Sequence, residues 1–231
     1  KDLYLSDGDF VVESIKSFKD KLVFSNNKNS IYLYQANCLE LLDKIADKYP
    51  EGCFDMIFAD PPYFLSNGGV TCQSGKMVTV NKGDWDKSRG TVLNHEFNQE
   101  WLKRCQRVLK ANGTIWVSGT MHSIYSIGFA MQQLGFKLLI NQNKQMKTVW
   151  QLYPPKISEK RYGKHPTQKP ISLVERCILA ATQRGDFILD PFAGSSTTGV
   201  AAIQLNRGFC GVELEDDFIK LSQQRLQSEI K

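Results

Sequence analysis

Asp60, Pro61, Pro62 and Tyr63 form the segment whose residue types most clearly predict chemistry. They follow the apolar run at residues 56–59, which indicates a buried strand. Two consecutive prolines cannot extend this strand, because they lack N–H donors and restrict the residue before each of them. We therefore predict a stiff turn at the carboxyl end of a strand, where open α/β sheets place their ligands. There the Asp60 carboxylate and the Pro61 carbonyl could each accept a hydrogen from an exocyclic amino group, while the Tyr63 ring stacks on the base that carries it.

A second motif, in the sequence DPFAGSSTTG, has the layout of a nucleotide-type cofactor site. Residues 187–189 indicate a short strand, residues 191–196 a tight turn of small residues, and Thr197 the start of a helix. Glycine lets the backbone of such a turn approach a ligand closely. A second predicted strand ends at Glu213, 19 residues after Gly194, and an acid at about this distance typically binds ribose hydroxyls. The candidate cofactor-binding residues of this motif are Asp190, Phe192, Ala193, Gly194, Ser195, Ser196, Thr197 and Glu213.

Together these motifs resemble those of the β-group DNA amino-methyltransferases, in which the motifs occur in a permuted order. The segments FADPPYFLSNGG, GDWDK and KHPTQKP are particularly similar to the adenine methyltransferases of the DpnA and HinfI type. The resemblance extends over residues 30–228, and Asp60 precedes Gly194 by 134 residues, in agreement with the permuted arrangement. Two positions depart from the family pattern: Ser196 stands where a second glycine is usual, and Asn37 stands where relatives often have an acid.

The resemblance implies S-adenosyl-L-methionine as the cofactor. It also implies methyl transfer to the N6 amino group of adenine in double-stranded DNA, within a restriction-modification system. It places Asn37 and Cys38 beside the cofactor, and Thr167, Gln168 and Lys169 near its methionine end, where they can donate hydrogen bonds to its carboxylate. The catalytic residues that it implies are Asp60, Pro61, Pro62 and Tyr63. GATC and GANTC are the first recognition sites to test.

Three other functions fit parts of the same pattern. An N4-cytosine DNA methyltransferase is the nearest alternative, although its relatives more often carry serine at the position of Asp60. A methyltransferase of RNA or of a protein glutamine commonly has asparagine there. A cofactor-binding subunit that only recognises DNA would not need the intact catalytic turn at residues 60–63.

The composition favours a cytoplasmic protein, and the DNA substrate that the resemblance implies places it at the nucleoid when it is bound to DNA. The net charge of +5 and the pI of about 8.8 suit a polyanionic partner. The sequence contains no run of 18 apolar residues and no secretory signal, so neither a membrane span nor export is predicted. The six scattered cysteines lack metal-ligand spacing, so we predict reduced thiols and no metal site. The sequence does not determine the oligomeric state; the resemblance allows a homodimer, because members of the family often form dimers.

Strands and helices alternate along the chain, which predicts a single methyltransferase domain over residues 1–231. The expected fold is α/β and Rossmann-like, with a largely parallel twisted sheet and helices on both faces. Strands are predicted at 31–35, 54–59, 114–118, 136–140, 187–189 and 207–213, and helices at 39–47, 94–110, 123–134, 171–183, 197 onward and 216–230. We expect Asn94 to cap the second helix and Asn112-Gly113 to end it.

Two stretches interrupt this alternation. Residues 66–89 are polar and rich in glycine, which predicts a long loop directly after the catalytic turn. Residues 141–163 lie where the family has its target-recognition segment, but they lack an element that could present three or four side chains to base edges. We therefore expect this segment to be incomplete, with residues missing near Asn141-Gln142 between the strand that ends at Ile140 and Lys144.

Overall fold

The computed structural model describes residues 16–66, 70–73, 76–79, 83–137 and 150–230 of the 231-residue chain. The strands within these residues are β1 (Leu22–Asn26), β2 (Ile31–Gln35), β3 (Phe54–Ala59), β4 (Val70–Gln73), β5 (Lys76–Thr79), β6 (Leu109–Val117), β7 (Phe187–Asp190) and β8 (Gly208–Glu213). Six of them form one sheet in the order β1-β2-β8-β7-β3-β6. Strands β1 and β2 pair antiparallel, and the other neighbours pair in parallel, which confirms the predicted sheet.

Helices cover this sheet on both faces. They are α1 (Cys38–Lys48), α2 (Thr91–Val108), α3 (Ile124–Gln133), α4 (Ile171–Ala181), α5 (Thr197–Gln204) and α6 (Asp216–Glu229). Side chains of α1, α2 and α3 pack on one face, and side chains of α4, α5 and α6 pack on the other. In β2, Tyr32 and Tyr34 enter the first layer while Ile31 and Leu33 enter the second, because successive strand residues point to opposite faces. The predicted Rossmann-like architecture is confirmed.

The parallel register gathers the ends of the central strands at one edge of the sheet. Ile57 of β3 pairs with Leu189 of β7, and Asp190 at the end of β7 pairs with Gly211 of β8. The turn after β3 and the turn after β7 therefore emerge side by side, although they are far apart in the sequence. This is the edge at which open α/β sheets bind their ligands.

The start of α2 differs from the predicted one. The helix begins at Thr91, with Gly90 as its N-cap, so the prediction that Asn94 caps it is wrong. Asn94 lies within the first turn of the helix, and its side-chain oxygen accepts a hydrogen bond from Arg89 N (3.1 Å). The asparagine thus stabilises the helix start from inside the helix rather than from the position before it.

The end of α2 also differs from the predicted one, because strand pairing begins earlier than the local sequence indicates. The helix ends at Val108, and residues 109–117 already form β6 beside β3, so Asn112-Gly113 lies within a strand. An ion pair between Lys110 Nζ and Asp55 Oδ1 (3.0 Å) joins the beginning of β6 to β3. The pairing with β3 therefore overrides the local helix signal.

The two stretches that interrupt the alternation are described only in part. Residues 66–89, predicted as a loop, contain the antiparallel hairpin of β4 and β5 and a short 3₁₀ helix at Asp84–Asp86. The predicted strand at 136–140 lies mostly outside the described residues, and so does the predicted gap near Asn141-Gln142. Within the described part of the chain, no helix is both long and apolar enough to span a bilayer.

Candidate active site

A cavity of about 280 Å³ lies at the carboxyl ends of the parallel strands, and the turns that follow β3 and β7 line it. Most residues predicted from the sequence line it, namely Asn37, Cys38, Asp60, Pro62, Thr167, Gln168, Lys169, Asp190, Phe192, Ala193, Gly194, Ser195, Thr197 and Glu213. Pro61, Tyr63 and Ser196 do not line it, although Tyr63 reaches the site through its hydroxyl. The two motifs that the sequence separates thus form one site.

The Asp60 carboxylate is held by two donors. It accepts hydrogen bonds from the Tyr63 hydroxyl and from the Lys169 ammonium, and both side chains of the ion pair are largely buried. Lys169 also donates to the Tyr63 hydroxyl (2.8 Å) and to the Thr167 carbonyl (3.1 Å). The resemblance implied a contact between Lys169 and the cofactor; the structure pairs Lys169 with the catalytic turn.

The protonation of these groups follows from their burial and their charges. Burial alone would lower the pKa of Lys169, but Asp60 and Tyr63 together raise it above its ordinary value. Burial, followed by the charge of Asp60, raises the pKa of the Tyr63 hydroxyl. At neutral pH the ammonium and the phenol therefore both stay protonated, and each donates a hydrogen bond to the Asp60 carboxylate.

Gly194 shapes the turn after β7. It has a φ of 53°, in the left-handed region that favours glycine, and its N–H donates to Glu213 Oε2 (2.7 Å). A Cβ at this position would lie 3.0 Å from Nε2 of His165. A side chain here would therefore be strained and would press on His165, which also lines the cavity.

Arg225 of α6 fixes the same turn, and the sequence analysis did not find it. Its buried guanidinium donates to the Ser195 carbonyl (2.5 Å), to the Ser195 hydroxyl (2.8 Å) and to the Thr197 hydroxyl (3.0 Å). Burial lowers the pKa of Arg225 to about 10, so the group remains a cation at neutral pH. No local signal predicts this role, because Arg225 lies 30 residues after Ser195.

Glu213 and Asp190 hold backbone around the cavity. The Glu213 carboxylate accepts hydrogen bonds from the backbone N–H of Gly194 (2.7 Å), of Leu214 (2.8 Å) and of Glu215 (2.9 Å). Since Oε1 already accepts two of these bonds, Oε2 is the oxygen with capacity for a ribose hydroxyl. Burial raises the pKa of Glu213, and the three backbone donors oppose that rise. Asp190 caps its own turn, accepting from Phe192 N (3.0 Å) and from the Thr198 hydroxyl (2.5 Å).

Asn37, Cys38, Thr167 and Gln168 complete the predicted set. Asn37 caps α1 by accepting a hydrogen bond from Leu39 N (2.9 Å), so its side-chain oxygen already has a structural use. Burial raises the pKa of Cys38 to about 12, which makes it a neutral thiol. The amide nitrogen of Gln168 donates to the Glu159 carbonyl (2.9 Å).

The cavity fits a nucleoside that carries a charged amino-acid tail. Gln168 lines it, and the buried Oε1 of Gln168 has no hydrogen-bond partner among the described residues, so it can accept from an ammonium group. Glu213 supplies an acceptor beside the glycine turn, and the aromatic side chain of Phe218 supplies an apolar surface. The described residues hold no group of three His, Cys, Asp or Glu side chains arranged for a metal ion.

Trp85, His165 and Phe218 also line the cavity and were not predicted as site residues. The His165 ring lies 4.1 Å from the Phe218 ring and 6.5 Å from the Trp85 ring, measured between centroids. Two of the three belong to motifs noted in the sequence, GDWDK and KHPTQKP. The sequence therefore indicated that these two motifs belong to the site, but it did not indicate which of their residues line the cavity.

Comparison with known proteins agrees with this geometry. The model of a family described as DNA methylase matches residues 54–143 and 139–224. Type II methyltransferase M2.DpnII of Streptococcus pneumoniae is 42% identical over 250 residues, covering 88% of this chain and 92% of the relative. Type II methyltransferase M2.MboI of Moraxella bovis is 37% identical over 251 residues, covering 89% of this chain and 90% of the relative.

Solved structures share the fold at lower identity. The complex of M1.HpyAVI with SAM has a TM-score of 0.61 at 21% identity and covers 85% of this chain and 98% of that one. The PvuII DNA methyltransferase, titled cytosine-N4-specific, has a TM-score of 0.62 at 17% identity and covers 84% of this chain and 86% of that one. The chain belongs to the DNA methylase family, and it is a DNA methyltransferase that uses S-adenosylmethionine.

Proposed function

We propose that the protein methylates the exocyclic N6 of adenine in double-stranded DNA, as the modification enzyme of a restriction-modification system. The observation that carries this proposal is the Asp60 carboxylate, held by Lys169 and Tyr63 beside the cofactor cavity. The curated relatives named Type II methyltransferases support it, including M.HinfI of Haemophilus influenzae, which is 32% identical over 251 residues and covers 86% of this chain.

The proposed chemistry follows from the catalytic turn. An exocyclic amino nitrogen is a weak nucleophile, because its lone pair is delocalised into the ring of the base. The Asp60 carboxylate and the Pro61 carbonyl can each accept one of its hydrogens, which directs the lone pair out of the ring. S-adenosylmethionine, when bound, supplies an electrophilic methyl group on a positively charged sulfur. Such positioning can contribute up to roughly 7–11 kcal/mol in favourable cases.

The target base must leave the duplex to reach this turn, and we propose that Tyr63 is its stacking platform. The Tyr63 hydroxyl donates to Asp60 in the structure, so this bond is exchanged for one from the base when the amino group arrives. Lys169 then remains as the partner that keeps Asp60 oriented. The amino proton becomes acidic only as the methyl group is transferred. Asp60 therefore accepts a hydrogen bond before the transfer and takes the proton as the transfer proceeds, which does not require a strong base.

An N4-cytosine methyltransferase is the second candidate, because the cytosine-N4-specific PvuII enzyme has the same fold. Cytosine also carries an exocyclic amino group, so the hydrogen-bonding argument alone does not separate the two bases. Aspartate at position 60, where cytosine enzymes more often have serine, favours adenine. An RNA or protein-glutamine methyltransferase would more often have asparagine there, and a subunit that only recognises DNA would have no use for the Asp60–Lys169 pair.

Nucleoside analysis tests the proposal. The protein is incubated with S-adenosylmethionine carrying a labelled methyl group and with duplexes containing GATC, GANTC or neither site. We expect labelled N6-methyladenine, and none with the Asp60→Ala variant, whose cofactor affinity should stay within a few-fold of the wild type. Labelled N4-methylcytosine would instead favour the second candidate, and no label in any duplex would refute methylation of DNA by this site.

We propose further that the chain is one catalytic domain with an incomplete target-recognition segment around residues 141–163. Two observations support this. The alignments with the curated relatives span about 250 positions, more than the 231 residues of the chain, so the relatives hold residues without a counterpart here. The family model also matches in two pieces that meet at residues 139–143. Inserting the corresponding residues of a relative after Ile140 should increase the ratio of specific to non-specific DNA affinity, and an unchanged ratio would argue against the proposal.

We also propose that the protein forms a homodimer and acts in the cytoplasm, bound to the nucleoid through its DNA substrate. Five large apolar side chains are each at least 51% exposed: Val92 and Leu93 at the start of α2, Met121 just before α3, and Tyr125 and Phe129 on α3. We call this set the α3 patch. The His95 ring of α2 lies 5.6 Å from the Phe129 ring of α3, so the start of α2 and the exposed side of α3 adjoin. Large exposed apolar side chains on adjoining helices are typical of an interaction surface, which supports the dimer.

A further inference from the structure

Asp86 is a buried carboxylate that binds the last residue of the catalytic turn and the three residues that follow it. Its side chain is 0% exposed. Oδ1 accepts hydrogen bonds from the N–H of Tyr63 (2.9 Å) and of Phe64 (2.8 Å). Oδ2 accepts from the N–H of Leu65 (3.3 Å) and from the Ser66 hydroxyl (2.8 Å). Four donors from four successive residues therefore converge on one side chain that lies 20 to 23 positions later in the sequence.

This arrangement holds the backbone in a conformation that it would not keep by itself. Phe64 has a φ of 58°, in the left-handed region, which is unfavourable for a bulky residue and persists only where surrounding contacts impose it. Successive N–H groups that point to one anion form a known type of anion-binding concavity. Here a side chain of the protein occupies that concavity, and the hydrogen bonds to a charged acceptor impose the turn at Phe64.

Asp86 contacts Tyr63 of the catalytic turn and does not line the cofactor cavity. Tyr63, the first residue that it binds, is the proposed stacking platform, and its hydroxyl contacts Asp60. The adjacent Trp85 lines the cofactor cavity, whereas Asp86 does not. Pro62 restricts the backbone on one side of Tyr63, and Asp86 fixes it from the other.

We propose that Asp86 is a positioning residue for methyl transfer, which fixes the backbone that presents Tyr63 to the target base. The proposal rests on the function proposed above. Asp84 offers a matched control, because it lies in the same 3₁₀ helix but its side chain is 91% exposed and pairs only with the neighbouring Lys87 among the described residues.

The test compares Asp86→Asn, Asp84→Asn and Ser66→Ala with the wild type. The rate of DNA methylation is measured in single-turnover experiments with saturating cofactor, and the cofactor Kd is measured by calorimetry. We expect Asp86→Asn to lower the rate by about 10-fold to 100-fold, the range for a hydrogen bond to a charged group, while the cofactor Kd stays within about threefold. Asp84→Asn should match the wild type in both.

The outcomes separate this proposal from the function on which it rests. A wild-type protein that methylates no DNA refutes the proposed function, whatever the variants do. An active wild type with an equally active Asp86→Asn variant overturns the positioning role, and so does a loss of cofactor affinity as large as the loss of rate. If Asp86→Asn does not fold, Ser66→Ala decides: a twofold to fivefold lower rate at unchanged cofactor Kd supports the role, and an unchanged rate overturns it.

Discussion

Lys169 joins the catalytic turn to the segment that precedes α4. Its ammonium donates to Asp60, to the Tyr63 hydroxyl and to the Thr167 carbonyl, and it lines the cofactor cavity at the same time. The position of Lys169 near the cofactor could be expected from the KHPTQKP motif. Its pairing with Asp60 could not, because the two residues are 109 positions apart and nothing local to either motif indicates the other.

Lys169→Met tests whether Lys169 contributes more to methyl transfer, through Asp60, or to cofactor binding. The variant removes the ammonium but keeps most of the aliphatic stem, so Asp60 loses its charged partner. We expect a rate of methyl transfer lower by about 10-fold to 100-fold, as for the loss of a hydrogen bond to a charged group, and a cofactor Kd within about threefold by calorimetry. Lys169→Arg, which keeps the charge, should recover part of the rate. A cofactor Kd that weakens as much as the rate would assign Lys169 to the cofactor instead.

Asp190 makes the stability of the protein depend on pH. It is 3% exposed, and burial raises its pKa from 3.8 to about 7. The folded state therefore binds more protons than the unfolded state between these values, so the contribution of Asp190 to stability is present at low pH and is lost as the pH rises towards 7.

Asp190→Asn should remove this loss. The amide cannot ionise, and its oxygen can still accept the hydrogen bond from Phe192 N. We expect the free energy of unfolding of the variant to increase relative to the wild type between pH 5 and pH 8, by about 1–4 kcal/mol, since one unit of pKa corresponds to 1.36 kcal/mol. Urea unfolding at pH 5, 6.5 and 8 measures this difference. A difference that does not change with pH would show that Asp190 is ionised throughout.

At the scale of elements, burial decides which predictions succeed. Strands β3, β7 and β8 were predicted within one residue of their observed bounds, because each is a short apolar run between breakers and is buried on both faces. The C-terminal end of α2 and the start of β6 were predicted wrongly, because the pairing with β3 decides them. The hairpin of β4 and β5 was missed for a related reason. Its segment was predicted as a loop because it is polar and rich in glycine, and this composition does not show whether two strands pair with each other.

The backbone of the turn between β7 and α5 is strained at Ser196, the position where the sequence departs from the family pattern. Ser196 replaces the usual family glycine, has a φ of 52° and is 0% exposed. Its hydroxyl has no hydrogen-bond partner among the described residues. The left-handed backbone is unfavourable for serine but not for glycine, and glycine has no hydroxyl to leave unpaired.

Ser196→Gly should therefore stabilise the protein, by about 1 kcal/mol once the greater freedom of glycine in the unfolded chain is subtracted. Thermal and urea unfolding measure the gain. Ser30→Gly is a matched control, because Ser30 has a φ of 54° but is not fully buried, so it reports the backbone contribution alone. A variant Ser196→Gly less stable than the wild type would mean that the serine hydroxyl has a stabilising partner.

At the scale of the whole molecule, the α3 patch is the feature with consequences for assembly. Four of its five side chains lie on α2 and α3, which pack on the opposite face of the sheet from α4, α5 and α6. A dimer through this patch would therefore leave the second helical layer free. The sequence suggested a dimer only through the resemblance to the family. It could not predict the α3 patch, because the exposure of these side chains depends on how α2 and α3 pack.

Tyr125→Glu combined with Phe129→Glu should dissociate the dimer, because burying two carboxylates in an interface is costly without partners. Sedimentation velocity across a range of protein concentrations measures the change in mass. Tyr153→Glu is the matched control: Tyr153 is 90% exposed but lies outside the α3 patch, so the variant should sediment like the wild type. A wild-type protein that remains a monomer at every concentration would refute the homodimer.

The order of the strands also determines when the enzyme can assemble during its synthesis. Met56 of β3 pairs with Ile188 of β7, and Ile31 of β2 pairs with Phe209 of β8, so the sheet joins the early part of the chain to the late part. Such non-local pairing slows folding. It also leaves the backbone N–H and C=O groups along one edge of β3 unpaired until the ribosome has synthesised β7. The catalytic turn and the cofactor turn therefore become functional in one late step, and a chain that is terminated before β8 would have neither.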